Sequence, residues 1–314
     1  MKQICFLVLA VLMLAGCSAV PEEDAAIPTA PPSTLQIPSE EYSDQLFSRL
    51  YDGAALSDSE LCELFASIIR PEDDEPSVLS VGEITVSGHA LIVRMSSADG
   101  MAEHIRDTEK YAEFRKTLLS TIPEVGTASY ALLQESDRDD LDFVVQIMSD
   151  EDPSIPLFSS INGMTFYDAG VDDPSDAAFD PARYSVRALA AAVALKAADR
   201  SDDDFHVSDL RVQSNTIVLD ISTPNGLRAY VQAQNPENAP VWKTYRSAFA
   251  GFTRAAHEYC ASRGREDVSV VVRVLNDVEP VDPLIVACDG EITTDNTLWR
   301  TLEGWNSMTG ETAP

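Results

Sequence analysis

Histidines and clustered carboxylates are the residues of this chain whose chemistry could serve a reaction. The four histidines, His89, His104, His206 and His257, are scattered without metal-ligand spacing. The pair His257-Glu258 lacks the second histidine that a zinc-binding H-E-x-x-H helix requires. The chain also lacks a G-x-S-x-G elbow, a phosphate-binding P-loop and a G-x-G-x-x-G turn after a strand. The sequence therefore predicts no catalytic residue, no metal ligand and no cofactor.

Carboxylates are far more numerous, and they cluster at residues 72–75, 137–142, 149–152 and 201–204. None of these clusters matches the calcium loop D-x-[DN]-x-[DN]-G with a glutamate at its twelfth position. Glycosidic cleavage, however, needs only two suitably spaced acids. With 52 Asp and Glu in the chain, a cell-envelope hydrolase that uses a carboxylate pair stays open as an alternative.

Composition limits the partners. The 314 residues are enough for two domains, and 45% of them are apolar. Against the 52 acidic residues stand only 22 Lys and Arg, which gives a formal net charge of −30. Such a surface repels phosphate backbones, so we expect no nucleic-acid partner.

The N-terminus carries the most informative motif. "MKQICFLVLAVLMLAGC" has one lysine followed by an apolar run that suits a secretory signal but is short for a membrane-spanning helix. Leu14-Ala15-Gly16-Cys17 resembles the lipobox of bacterial lipoprotein precursors. The resemblance covers only these first residues and says nothing about the fold. It implies a signal peptide at 1–16, lipidation of Cys17 by palmitate-type chains, and a protein anchored in the cell membrane that faces outside the cytoplasm.

The remaining cysteines do not form a disulfide framework. Cys5 leaves with the signal peptide, and Cys62, Cys260 and Cys288 are an odd number. We interpret all three as small buried hydrophobic residues and leave open whether Cys260 and Cys288 pair. Residues 17–39, rich in Pro, Ser, Thr and Ala, are expected to form a semi-rigid tether.

The folded part of the chain repeats itself. With Val144 placed on Val271, "VVQIMSDEDPSIPLF" aligns without a gap with "VVRVLNDVEPVDPLI". The shared phrase D-x-x-P-x-x-P-L is a stiffened loop or, alternatively, a recognition surface. Upstream, "EITVSGHALIVRMSSADG" aligns with "DLRVQSNTIVLDISTPNG" at a shift of one residue less. Since the agreement keeps its order over most of each unit, the sequence predicts a tandem duplication.

Alternating apolar residues predict the strands of each unit. Asp99-Gly100 and Asn225-Gly226 are typical of hairpin turns, so "LRAYVQA" is predicted as a third strand. Its counterpart "MAEHIRD" could be a short helix on its own, but the repeat favours a strand there as well. The fold prediction is α+β: a tandem duplication of an α-β-β-β-α-β-β unit, with helices packed on mostly antiparallel sheets. Unit 1 is placed at 40–170, an acidic linker at 171–180 and unit 2 at 181–296.

Helices are predicted from apolar spacing. Ser57 and Glu60 form a capping box before the first helix of unit 1. In unit 2, the stretch 240–262 has an apolar stripe at helical spacing. The matching stretch of unit 1 contains Pro123 and Gly126, which are expected to kink or break the helix. The repeat nevertheless makes "TASYALLQ", at 127–134, helical.

The tail 297–314 contains a short amphipathic helix, in which Trp299, Leu302 and Trp305 are the candidate partner-binding residues. The tail either docks on the protein itself or is presented to a partner. We interpret the protein as a membrane-anchored binding or scaffolding module that acts through a groove between its two units, and lean away from an enzyme. Its expected partners are the bilayer, through acylated Cys17, and another envelope protein or a glycan. The alternatives are the carboxylate hydrolase and a structural spacer.

Overall fold

The computed structural model describes residues 30–31, 35–36, 38–51, 55–69, 78–198, 205–222, 226–276 and 282–297. By its internal contacts the chain divides into two compact units, Met1–Ala191 and Ala192–Pro314. This division lies C-terminal to residues 171–180, the segment in which the sequence placed the linker.

The described residues of the first unit form helices and one five-stranded sheet. In chain order, the elements are α1 (Glu40–Tyr51), α2 (Asp58–Ile68), β1 (Leu79–Ser87), β2 (Ala90–Ser97), α3 (Met101–Arg106), α4 (Ala112–Glu135), β3 (Asp142–Met148), β4 (Pro156–Ile161) and β5 (Met164–Asp168). The strands lie in sequence order across the sheet. Strands β2 and β3 are parallel, whereas the other neighbours are antiparallel. A parallel pair needs a crossover connection, which α3 and α4 provide.

The described residues of the second unit repeat this plan from α2 onward. Its elements are α5 (Val186–Ala198), β6 (His206–Gln213), β7 (Thr216–Ser222), α6 (Gly226–Ala233), α7 (Ala239–Ser262), β8 (Ser269–Val274), β9 (Ile285–Cys288) and β10 (Glu291–Asp295). The division between the compact units falls inside α5. The sheet order is β10-β9-β8-β7-β6, and β7 and β8 are its parallel pair. The α+β class and the two similar sheet units are therefore confirmed.

The predicted third strand of each unit is wrong. Met101–Arg106 and Gly226–Ala233 are the helices α3 and α6, so unit 2 reads α-β-β-α-α-β-β-β, and unit 1 has the same order from α2 onward, preceded by the additional helix α1. In α3, Met101, Ala102 and Ile105 are buried, a helical spacing that a strand interpretation hides. Gly100, taken as half of a hairpin turn, instead adopts a φ of 87° at the N-cap of α3.

The hairpin turns lie elsewhere in both units. Asn162-Gly163 joins β4 to β5 with φ values of 53° and 87°, and Asp289-Gly290 joins β9 to β10 with 48° and 96°. Positive φ at both central residues is what a type I′ hairpin requires. What the sequence presented as one final strand in each unit, "FSSINGMTF" and "IVACDGEIT", is therefore a hairpin.

Helix α4 runs through Pro123 and Gly126 as one element, so of the predicted kink or break the break does not occur. Gly126 allows α4 to lie close to the β4–β5 turn. A Cβ at position 126 would lie 2.6 Å from the backbone N of Gly163, the glycine of the β4–β5 turn. The predicted helical stretch 127–134 is confirmed. So is the capping box, in which the Ser57 N–H donates to Glu60 at 2.9 Å.

In each unit, an ion pair connects the last strand to the long helix. In unit 1, Arg115 of α4 makes a buried, two-point pair with Asp168 at the end of β5, with nitrogen–oxygen distances of 2.6 and 3.1 Å. In unit 2, Arg246 of α7 pairs with Asp295 of β10 at 2.7 Å. The aspartates match at a shift of 127 residues, but the arginines differ by one helical turn, since Arg115 matches Trp242. The contact, rather than its sequence position, is thus preserved.

The segment after β5 also packs on the first unit. The Phe179 ring lies 5.7 Å from that of Phe166 and 4.9 Å from that of Tyr184. The Tyr184 hydroxyl donates to the His89 carbonyl at 2.9 Å and to Asp142 at 3.2 Å. The acidic segment after β5 is therefore held against the first sheet by the aromatic contacts of Phe179 and by the buried hydroxyl of Tyr184.

Candidate functional site

The residues that the sequence singled out lie outside the described residues. They are the lipobox with Cys17 and the tail residues Trp299, Leu302 and Trp305. The first residue that the structure describes is Ala30 and the last is Thr297. Within the described ranges, no helix is both long and apolar enough to cross a bilayer.

The proline phrase has a structural function in unit 1. Asp150, its first residue, accepts hydrogen bonds from the backbone N–H of Gly100 at 2.6 Å and of Ala102 at 2.9 Å. A carboxylate at this place satisfies N–H groups that the start of a helix leaves unpaired. The phrase thus connects β3 to the beginning of α3 before Pro156 opens β4. In the second copy, residues 277–281 lie outside the described residues.

The histidines lie apart and are engaged locally. The His104 ring packs on that of Tyr111, with ring centres 3.9 Å apart and planes tilted by 32°, and its Nδ1 lies 2.6 Å from the Gly100 carbonyl. His257 Nδ1 lies 2.9 Å from the Val268 carbonyl and 3.6 Å from Asp289. Over the part of the chain that the structure describes, no three His, Cys, Asp or Glu side chains are grouped to hold a metal ion.

The thiols are free and poorly suited to nucleophilic chemistry. Cys62, Cys260 and Cys288 form no disulfide, and Cys260 is buried whereas the other two are half-buried. Burial raises the pKa of each thiol above its ordinary value, that of Cys260 to about 12. A thiol in this state stays protonated at neutral pH, and only the thiolate is a good nucleophile.

The carboxyl groups with displaced pKa values in the described residues are all displaced downwards. Hydrogen bonds from Arg49 above all lower the pKa of Glu60 to about 2. The pKa of Glu103 is lowered by Lys110. Serine hydroxyls likewise lower the pKa values of Asp152 and Asp173. A general acid for glycosidic cleavage needs a raised pKa, so these four groups do not suit that role.

The two edge strands that correspond by duplication have different surroundings. In unit 1, helix α2 packs against β1. At the start of β1, the Ser80 hydroxyl donates to the Pro31 carbonyl at 2.6 Å. Ile84, in the middle of the strand, is 7% exposed. Edge strand β1 is thus covered by its own unit.

Strand β6 occupies the same position in unit 2 and is far more open. None of its residues is buried, and Val212, which matches Val86, is 39% exposed. The two-residue turn Ser214-Asn215 pairs Gln213 with Thr216, and the positive φ of Ser214 fits a type II′ hairpin. Since the turn closes on a hydrogen-bonded pair and such pairs alternate, Leu210 and Val212 point their backbone N–H and C=O away from β7.

A ladder of charges runs from β6 across the sheet. Arg211 contacts Asp209 on its own strand at 2.7 Å and Asp220 of β7 at 2.9 Å. Asp220, whose side chain is 5% exposed, is also held by Arg273 of β8 at 2.8 Å. Because each arginine faces a carboxylate, the ladder is neutral and fixes the β6 side chains on this face. Leu210 and Val212 alternate to the opposite face, where their partners Leu219 and Ile217 belong to the core.

We call the outer edge of β6, with Asp209, Leu210, Arg211 and Val212, the β6 edge. Sequence patterns predicted this strand but not its exposure, because the duplication made β1 and β6 look equivalent. No protein-family model, curated protein or solved structure matches the chain.

Proposed function

We propose that this protein is a lipid-anchored, extracytoplasmic binding or scaffolding module. The anchor rests on Leu14-Ala15-Gly16-Cys17, whose four positions all fit a lipobox behind an apolar run of suitable length. Two acyl chains on Cys17 would hold the protein stably at the membrane, and the tether would set the folded part clear of it.

One structural observation supports the binding role. The duplicated units cover equivalent edge strands differently, since β1 lies under α2 whereas β6 has no buried residue. An exposed strand edge is a template for pairing with another chain, and natural proteins usually shield it. If an open edge were a general property of the fold, both units would have one. Because, of these two described strands, only β6 is open, we interpret its edge as a docking surface. The carboxylate hydrolase has no comparable support in the described residues.

The anchor is tested by metabolic labelling with an alkyne-bearing palmitate. We expect Cys17→Ser to lose the label and the detergent-phase partitioning of the wild type. The matched control is Cys5→Ser, which should keep both, because Cys5 lies in the segment that is removed. Labelling that survives Cys17→Ser would show that the lipobox is not used.

The binding role is tested by crosslinking the full-length protein in its native envelope and comparing wild type with Trp299→Ala/Trp305→Ala. We expect a specific protein or glycan to be enriched with the wild type. Loss of that partner in the double variant would place its contact on the tail. If no partner is enriched above the level of an unrelated lipoprotein, the binding role is wrong and the spacer alternative gains weight.

A further inference from the structure

We propose that the β6 edge binds an extended, basic peptide segment of a partner protein by adding it as a sixth strand to the second sheet. This inference rests on the proposed binding function and specifies its surface and the chemistry of its partner. Strand addition to an open edge draws affinity from main-chain hydrogen bonds and specificity from alternating side chains.

The main-chain part of the site is already formed. Leu210 and Val212 present outward N–H and C=O groups, and within the described residues these groups have no hydrogen-bond partner. In unit 1 the equivalent residue, Val86, is half-buried in a strand against which α2 packs. The β6 ladder is irregular only between Val207 and Asp209, so the stretch from Asp209 to Gln213 is regular enough to pair with an added strand.

The side chains of β6 specify an alternating partner. On the core face, Leu210 is half-buried and Val212 is 39% exposed, so apolar residues of an added strand would extend the core over them. On the other face, Asp209 and Arg211 are held in the charge ladder, with side-chain exposures of 49% and 37%. Polar residues of the partner would lie beside these two.

Charge selects a basic partner. The ladder is neutral, so the preference comes from the rest of the chain, which has a formal net charge of −30. Three aspartates, at positions 202–204, directly precede Phe205 and β6 in the sequence. A field of this sign attracts cationic segments and speeds their association. For the same reason a second copy of this chain is disfavoured, because two strongly acidic surfaces would be brought together.

The test uses the full-length protein in detergent micelles and a fluorescein-labelled, capped heptapeptide of alternating lysine and valine (KVKVKVK). Fluorescence anisotropy should show saturable binding that weakens as salt is added. The controls are EVEVEVE, of opposite charge, and KVKPKVK, which cannot pair as a continuous strand. Both should bind at least about tenfold more weakly. No binding of KVKVKVK to the wild type, or equal binding of EVEVEVE, overturns the inference.

Val212→Pro locates the site, because it removes an outward N–H while leaving the bonds to β7 in place. We expect it to weaken KVKVKVK binding by at least about tenfold, whereas Val212→Thr, which keeps the N–H, should retain affinity within about twofold. Unchanged binding to Val212→Pro contradicts the inference. Should the proline variant not fold, hydrogen exchange on the wild type decides, because bound peptide must slow the Leu210 and Val212 amides.

Two other occupants would give distinct results. If KVKVKVK binds only to Trp299→Ala/Trp305→Ala, the tail of the chain itself occupies the edge and the partner assignment is wrong. If light scattering shows a dimer that Val212→Pro dissociates, a second copy is the occupant, and the assignment is again wrong. A partner captured equally by wild type and Val212→Pro, with no peptide binding, would leave the binding function standing and remove only the β6 edge from it.

Discussion

The buried pair between Arg115 and Asp168 gives the sharpest prediction for stability. Their side chains are 9% and 7% exposed, and Asp168 also accepts the Gly170 N–H at 2.9 Å. Asp168→Asn removes the negative charge but keeps the size of the side chain, so it leaves a buried guanidinium without its counter-charge. Breaking a buried pair in this way costs about 3–5 kcal/mol, because the remaining charge is not hydrated. We expect the free energy of unfolding of unit 1 to fall by that amount.

The matched control is Asp295→Asn in unit 2, where the partner Arg246 is 24% exposed and can take up water. We therefore expect a smaller loss, about 1–2 kcal/mol, in line with a hydrogen bond to a charged group. Urea unfolding followed by far-UV circular dichroism, with the two transitions fitted separately, measures both. Equal losses for the two variants, or a loss below about 1 kcal/mol for Asp168→Asn, would refute the argument from burial.

Two further predictions concern local interactions. Glu60 has its pKa lowered from 4.5 to about 2 by Arg49 above all, so its stabilising effect is complete above pH 4.5 and is lost as the pH falls towards 2. The thermal midpoint of the wild type should therefore exceed that of Glu60→Gln at pH 6, and the difference should shrink through this window; a constant difference would contradict it. Gly126→Ala should destabilise, because its Cβ would meet the Gly163 backbone at 2.6 Å. Gly251→Ala, at a helix position with no atom within 4 Å of the added Cβ, should instead stabilise by about 0.5–1 kcal/mol in urea unfolding, and the same sign for both would be evidence against the close contact.

The sequence by itself determined the duplication, and the duplication determined most of the helices and strands. The stretch 127–134 reads equally well as a strand, and only its match to the apolar stripe of unit 2 made it helical. The capping box at Ser57 and Glu60 was also readable, since its residues lie three apart and act within one turn. Such features depend on neighbours in the chain, which is why a single sequence reveals them.

The conformation of the glycine-containing turns could not be predicted from neighbouring residues alone. Asp-Gly and Asn-Gly pairs occur at positions 52, 99, 162, 225 and 289. Those at 162 and 289 are hairpin turns, whereas Gly100 begins a helix. The difference lies in Asp150, which is distant in sequence and whose carboxylate caps that helix. The continuity of α4 through Pro123 and Gly126 could not be predicted for the same reason, since the contact of α4 with the Gly163 turn is formed only in the folded unit.

The candidate site itself was decided by tertiary structure. Both β1 and β6 show alternating apolar residues, and no pattern distinguishes them. In the described residues the two strands differ in what packs beside them, since α2 lies against β1 whereas no residue of β6 is buried. Residue types and their order fix which strands can form, because pleating and backbone bonding are local properties. Exposure of a strand edge depends on what packs beside it in space, and only the folded chain supplies that information.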